Sequence, residues 1–217
     1  MYKIKYKDLN FKTNFRHLDK RKSSLIILPG LGCSSSEYDF LLRITELKYQ
    51  VSIIEIPGHN STIINLRYDY LLDFAKKIFV FLKRKKFNKL TFYAHSMSCV
   101  TILLLFTRFF KNYSLFSIII NEGNLVESDC SNVTKKTISY EKKFFQRVGF
   151  NNLLNLCKKS ENIELRNWSS SLEKMSGKSF YNFSKSCFEW SKKNYLLSYY
   201  KYFFKKKIYI YGENSKN

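Results

Sequence analysis

The chain has 217 residues and a formal charge of +21, with 38 Lys and Arg against 17 Asp and Glu, and 45% of it is hydrophobic. So much Phe, Tyr, Ile and Leu excludes whole-chain disorder, and five cysteines without a C-x-x-C pair exclude a disulfide scaffold or zinc knuckle. Collagen and coiled coil are excluded as well, and the length predicts one domain with a proper core. Of the 38 basic residues 30 are Lys and 8 are Arg, beside 18 Asn and two Ala, the bias an A/T-rich coding sequence produces by drift. Nucleic-acid interfaces favour Arg for bidentate contacts, so specific nucleic-acid recognition is not expected. A basic surface that docks on anionic membrane or nucleic acid remains a separate hypothesis, resting on the charge and on the runs Lys83 to Lys86 and Lys205 to Lys207.

In chain order, the first twenty-odd residues alternate charge with aromatics and hold no apolar run fit for a signal peptide, and nothing further on approaches the roughly 20 apolar residues of a membrane span. A reducing cytoplasm is the expected location. Leu25 to Leu28 reads as a strand covered on both faces and stops at Pro29-Gly30. Ser34 and Glu37 stand at capping-box spacing, which predicts a helix from about Ser36 to Leu47. A second strand, Val51 to Ile56, ends at another Pro-Gly. Leu71, Phe74, Ile78 and Leu82 recur at helical steps within a helix of about Leu66 to Arg84, and the lysines at its end suit the negative pole of a helix dipole. A third strand, Leu90 to Tyr93, runs into His95-Ser96-Met97 and an apolar segment reaching Phe110. A fourth, Phe116 to Ile120, ends at Asn121-Glu122-Gly123-Asn124.

From about 127 to 204 no β-rich run occurs. Trp168, Leu172 and Met175, then Phe180, Phe183, Cys187 and Trp190, mark amphipathic helical faces. A last strand, Ile208 to Tyr211, returns to the sheet. Strands alternating with helices predict an α/β fold: a mostly parallel central sheet flanked by helices, with a core over 1–126, a helical insertion over 127–204 and a return strand in 205–217.

The segment Tyr93-Ala94-His95-Ser96-Met97-Ser98-Cys99 places a serine between strand and helix with small residues two before and two after it. A nucleophile on so tight a turn adopts a strained backbone, and only small neighbours let the two arms approach. Read alone, Ser96 serves equally as a helix cap. Pro29-Gly30-Leu31-Gly32 follows a strand, and the amide of Leu31, with that of Met97, is positioned to face a developing negative charge.

On these residues the sequence resembles the α/β-hydrolase superfamily. Pro29 to Gly32 looks like its oxyanion loop, Ile56-Pro57-Gly58-His59-Asn60-Ser61 like its D-x-P-G-H-G-x-S turn, and His95-Ser96-Met97 like its nucleophile elbow, with Ala94 and Ser98 in place of the usual glycines. The resemblance implies attack by Ser96 on an acyl carbon of a small-molecule ester, an oxyanion hole from Leu31 and Met97, a lid in the helical insertion, and no cofactor or metal. It also implies an acid and a histidine. Glu122 is the first candidate acid, with Glu213 and Asp129 behind it and Ser215 near the position that many relatives fill with Asp. No histidine fits: His17 precedes the sheet, His59 matches a structural turn residue, and His95 adjoins the nucleophile. The superfamily continues through a helix and a strand to its histidine, so the expectation is a chain lacking those C-terminal elements, either an impaired enzyme or a non-catalytic protein of the same fold.

Overall fold

The computed structural model describes residues 1–19, 21–44, 49–60, 67–85, 87, 89–110, 116–204 and 206–213. A seven-stranded sheet forms its centre. The strands are β1 (Tyr2–Tyr6), β2 (Leu9–Thr13), β3 (Ser23–Leu28), β4 (Gln50–Ile54), β5 (Lys89–His95), β6 (Phe116–Asn121) and β7 (Lys206–Ile210), and their order across the sheet is β1-β2-β4-β3-β5-β6-β7. From β4 to β7 every pairing is parallel, whereas β1 and β2 form an antiparallel hairpin joined antiparallel to β4.

The hairpin is not anticipated in the sequence. Its Tyr-Lys-Ile-Lys-Tyr and Leu-Asn-Phe-Lys-Thr segments do alternate with the period of a strand, and Leu9, Phe11 and Thr13 are buried while Asn10 and Lys12 are half-buried. Lys7, at φ 51°, makes the tight corner between them. The long helix expected after β3 is also corrected. Its first turn is capped as the spacing predicts, with Glu37 Oε1 accepting from the Ser34 amide at 3.0 Å, but it consists of a 3₁₀ turn, Ser35–Tyr38, followed by α1 (Asp39–Arg43). Only Leu42 of α1 is buried and Phe40 is exposed, so this helix has little apolar surface to hold it longer. The remainder of the expected span, residues 45–47, lies outside the described residues, as do residues 61, 66, 86, 205 and 215 named above.

The main core lies on the sheet face covered by α2 (Tyr70–Lys85) and α3 (Ser98–Phe109); Ile27, Leu42, Val51 and Ile53 form a smaller cluster toward α1. Helix α3 is buried from Ser98 to Phe106, as its nearly unbroken apolar sequence requires. Phe106 sits 5.4 Å from Phe92, 4.9 Å from Phe116 and 5.0 Å from Phe204, centroid to centroid, so one ring ties α3 to β5, β6 and the chain entering β7. The last turn of α2 carries Lys83, Arg84 and Lys85, cations opposite the negative helix pole.

Between β6 and β7 the chain is helical: α4 (Asn132–Ser139), α5 (Lys142–Phe144), a π turn (Phe145–Gly149), α6 (Phe150–Lys158), α7 (Ile163–Leu172), α8 (Gly177–Ser191) and α9 (Leu196–Phe203). Asp69 both caps α2, through the Leu72 amide at 3.1 Å, and receives Ser186 Oγ and Trp190 Nε1 of α8, each at 2.5 Å. The turn 57–60 makes the other dock. His59 forms a β-bridge with Met175, the Asn60 amide donates to Lys174 O, the Ser176 amide donates to Gly58 O, and Ser179 Oγ donates to Pro57 O. The helical insertion is therefore bonded to the sheet through backbone as well as side chains. No helix among the described residues is long and apolar enough to cross a membrane.

Candidate functional site

Three adjacent parallel strands, β3, β5 and β6, bring their carboxyl ends together, where open α/β sheets present a crevice for ligands. Leu28 lies opposite Ala94, and His95 opposite Asn121, so the Pro29–Gly32 loop, Ser96 and the Asn121–Asn124 turn emerge side by side.

Ser96 stands at φ 52°, in the left-handed region that a residue with a side chain seldom adopts. The corner is held from several directions. The Ser96 amide donates to Asn121 O at 2.8 Å, Ser98 Oγ donates to Pro29 O, and the Ser96 carbonyl accepts the Cys99 amide at 3.0 Å as α3 begins. Ala94 and Ser98 are fully buried, and the latter's hydroxyl anchors the neighbouring loop, which explains a Ser where a Gly is usual.

Two peptide units near this corner are fixed from their carbonyl sides. Gly30 O accepts the Cys33 amide at 3.1 Å, and Ser96 O accepts the Cys99 amide. In a planar trans peptide the N–H points opposite to its C=O, so the amides of Leu31 and Met97 are directed away from those bonds. Neither amide has a hydrogen-bond partner among the described residues. The loop is packed closely around them. A Cβ on Gly30 would come within 2.8 Å of His95 Nδ1, Gly32 holds φ 75° beneath the Trp168 indole, and Trp168 Nε1 donates to Leu31 O at 3.2 Å. Trp168 comes from α7, so the helical insertion clamps this loop.

The Ser96 hydroxyl donates to Asn124 Oδ1 at 3.1 Å. Asn124 is buried, donates through Nδ2 to Asp129 O at 2.7 Å, and offers its backbone carbonyl to Ser191 Oγ of α8 at 3.0 Å. Sequence reasoning treats Asn124 as one residue of a turn; its pairing with Ser96 spans 28 positions and no local pattern announces it.

The candidate acids are placed apart from one another in role. Glu122, at φ 51°, follows β6; its amide donates to Ile210 O at 2.9 Å and its carboxylate accepts the Gly212 amide, so it joins the ends of β6 and β7. Asp129 is exposed and its carboxylate accepts the amides of Leu125 and Val126 at 2.9 and 3.0 Å, closing its own turn. Glu213 is exposed at the last described position.

No imidazole bonds to Ser96 among the described residues. His95 Nδ1 faces Tyr38 Oη at 3.3 Å and Cys33 Sγ at 4.0 Å, and burial holds its pKa below the ordinary value. His59 is fully buried with neither ring nitrogen hydrogen-bonded among the described residues, and desolvation lowers its pKa to about 4. His17 is exposed on the segment before β3. Burial, with Glu37 close by, pushes the Cys33 thiol up, so it remains protonated beside the loop. Among the described residues no group of three or more His, Cys, Asp or Glu converges as a metal site.

No family model and no curated protein matches the sequence. Solved structures do match the fold. A carboxylesterase from the thaumarchaeon Nitrososphaera gargenis superposes with a TM-score of 0.73 at 14% identity, over 98% of this chain and 80% of that one. A bromoperoxidase from Bacillus anthracis gives 0.70 at 14% identity, covering 94% and 77%, and MenH from S. aureus gives 0.66 at 13%, covering 93% and 89%. The chain has the α/β-hydrolase fold with an inserted helical cap.

Proposed function

We propose that this protein is a serine hydrolase of small-molecule acyl esters, with Ser96 as nucleophile. The observation that carries the reading is the left-handed Ser96 at the β5–α3 corner, with the Leu31 and Met97 amides, unbonded among the described residues, turned away from the carbonyl bonds that fix their peptides. Those amides supply the donors that an acyl-transfer oxyanion needs, and preorganised donors of this kind account for a large share of such catalysis. In the step proposed, Ser96 Oγ bonds to the acyl carbon as its proton passes to solvent and the carbonyl electrons shift to the oxygen facing the two amides; those electrons then re-form the carbonyl as the C–O bond to the leaving group breaks, and the departing alkoxide takes a proton from solvent to leave as the alcohol. Water then releases the acid and restores Ser96. That the structural relatives include a carboxylesterase supports the substrate class. Glu122 is the acid we favour for electrostatic support, with Glu213 and Asp129 as alternatives.

A second reading rests on its own observation: Ser96 is bonded to an amide oxygen instead of an imidazole. A serine without a general base retains only the acceleration that binding and the oxyanion hole provide, on the order of 10³ to 10⁴ over water. The same fold then serves as a weak catalyst or as a non-catalytic protein. Incubation with a fluorophosphonate probe followed by peptide mapping separates the two. Slow labelling confined to Ser96, and absent from Ser96→Ala, is the expected outcome; a folded sample that takes no label sinks the hydrolase reading.

A further inference from the structure

A cleft of about 490 Å³, lined by none of the residues that bond to Ser96, opens between the β1–β2 hairpin and the first turn after β3. The hairpin register sets Lys3 opposite Lys12 and Lys5 opposite Asn10, and the two-residue period of a strand puts all four side chains on the cleft face. Like charges directly opposite each other in an antiparallel pair are destabilising unless something offsets them. Asp39 does so for Lys12, at 2.9 Å. Lys3 and Lys5 form no salt bridge among the described residues, and neither does Lys174, which the α7–α8 connection brings to the same cleft.

The acidic group in the wall does not serve these three cations. Glu55 is buried, and its carboxylate accepts the Ser35 amide at 3.2 Å, the Ser35 hydroxyl at 2.5 Å and the Asn60 side chain at 2.9 Å. With Glu55 and Asp39 both counted against the four lysines, the cleft keeps an excess of two positive charges. Ser34, Ser36, Asn10 and Asn60 add polar groups to the lining, and Ile4 and Phe11 complete it. Three ammonium groups without a salt bridge, from two distant parts of the chain, around a cavity with an excess of two positive charges match a compact dianion. Lysine serves such ligands as a mobile point charge with three donors.

We infer that this cleft binds a phosphorylated ligand through Lys3, Lys5 and Lys174. Two sources share that chemistry, a soluble phosphate compound and the phosphate monoester headgroup of a lipid. Isothermal titration of the full chain with inorganic pyrophosphate is expected to show one saturable site, weakened about tenfold or more in Lys3→Glu/Lys174→Glu. The double variant Lys83→Glu/Lys85→Glu at the end of α2 makes the same change in net charge and is expected to leave the affinity within about threefold, and the milder Lys174→Gln is expected to weaken binding while leaving the melting temperature unchanged. Sedimentation with phosphatidylcholine vesicles carrying phosphatidic acid distinguishes the sources. Vesicle binding displaced by pyrophosphate assigns the cleft to a lipid headgroup, and pyrophosphate binding without it assigns the cleft to a soluble compound. Absence of saturable binding in both formats, or equal weakening in the two double variants, overturns the inference.

Discussion

Ser96 concentrates the tension between stability and chemistry in one residue. Its left-handed backbone costs on the order of 1 kcal/mol for any residue with a Cβ, and glycine escapes that cost. Comparing Ser96→Gly with Ser96→Ala isolates the strain, because both variants lack the hydroxyl that reaches Asn124. The glycine variant is expected to be about 1 kcal/mol the more stable in denaturant unfolding, and equal stabilities would show that the corner is relaxed. The sequence discloses this position because size is a local property: Ala94 and Ser98 flank it, and Gly30 lies where His95 leaves no space for a Cβ. It does not disclose Asn124 as the partner of the hydroxyl or Trp168 as the clamp on Leu31, since both contacts join segments far apart in the chain. It names Glu122, but the part that residue plays, bonding the Gly212 amide at the end of β7, depends on strand order.

At the scale of elements, the turn 57–60 is where sheet and helical insertion are bonded, and His59 is sealed inside that junction. Glu55 and Glu37 favour its charged form and Lys174 opposes it, but desolvation outweighs them and lowers the pKa from 6.5 to about 4. The unfolded chain therefore binds a proton that the folded chain refuses between those values. Stability is full above about pH 6.5 and falls as the pH drops toward 4. Unfolding curves measured across that range should lose this part of their slope in His59→Gln; an unchanged slope would assign the acid sensitivity to other groups. The alternation of strands with helices was legible from apolar runs and Pro-Gly stops, as were the capping box at Ser34 and the helical texture of 127–204. The β1–β2 hairpin was concealed because lysines occupy its solvent-facing positions, so its alternation resembles charge patterning, and α1 is shorter than its cap implied because one buried leucine gives it little to hold.

For the whole molecule, charge and edge act against each other. Among the described residues β7 is the last strand in the sheet order, and its Ile208 and Ile210 are 56% and 45% exposed, an arrangement that invites pairing between copies. A net charge of +21 keeps copies apart at low salt, but screening shortens its reach to about 8 Å at physiological ionic strength. Light scattering is expected to show association that grows with added sodium chloride and is suppressed in Ile210→Lys; salt-independent scattering would place the sticky surface elsewhere. The parallel strands inside the sheet are indifferent to this contest. β3, β5 and β6 carry the crevice, and the bonds that bend the chain at Ser96 come from Asn121, Ser98 and Cys99 beside it. Such a corner belongs to the strand-to-helix crossing that builds it, and the exposed strand at the sheet edge has no part in its shape. It is a property of the fold before it is evidence of a reaction.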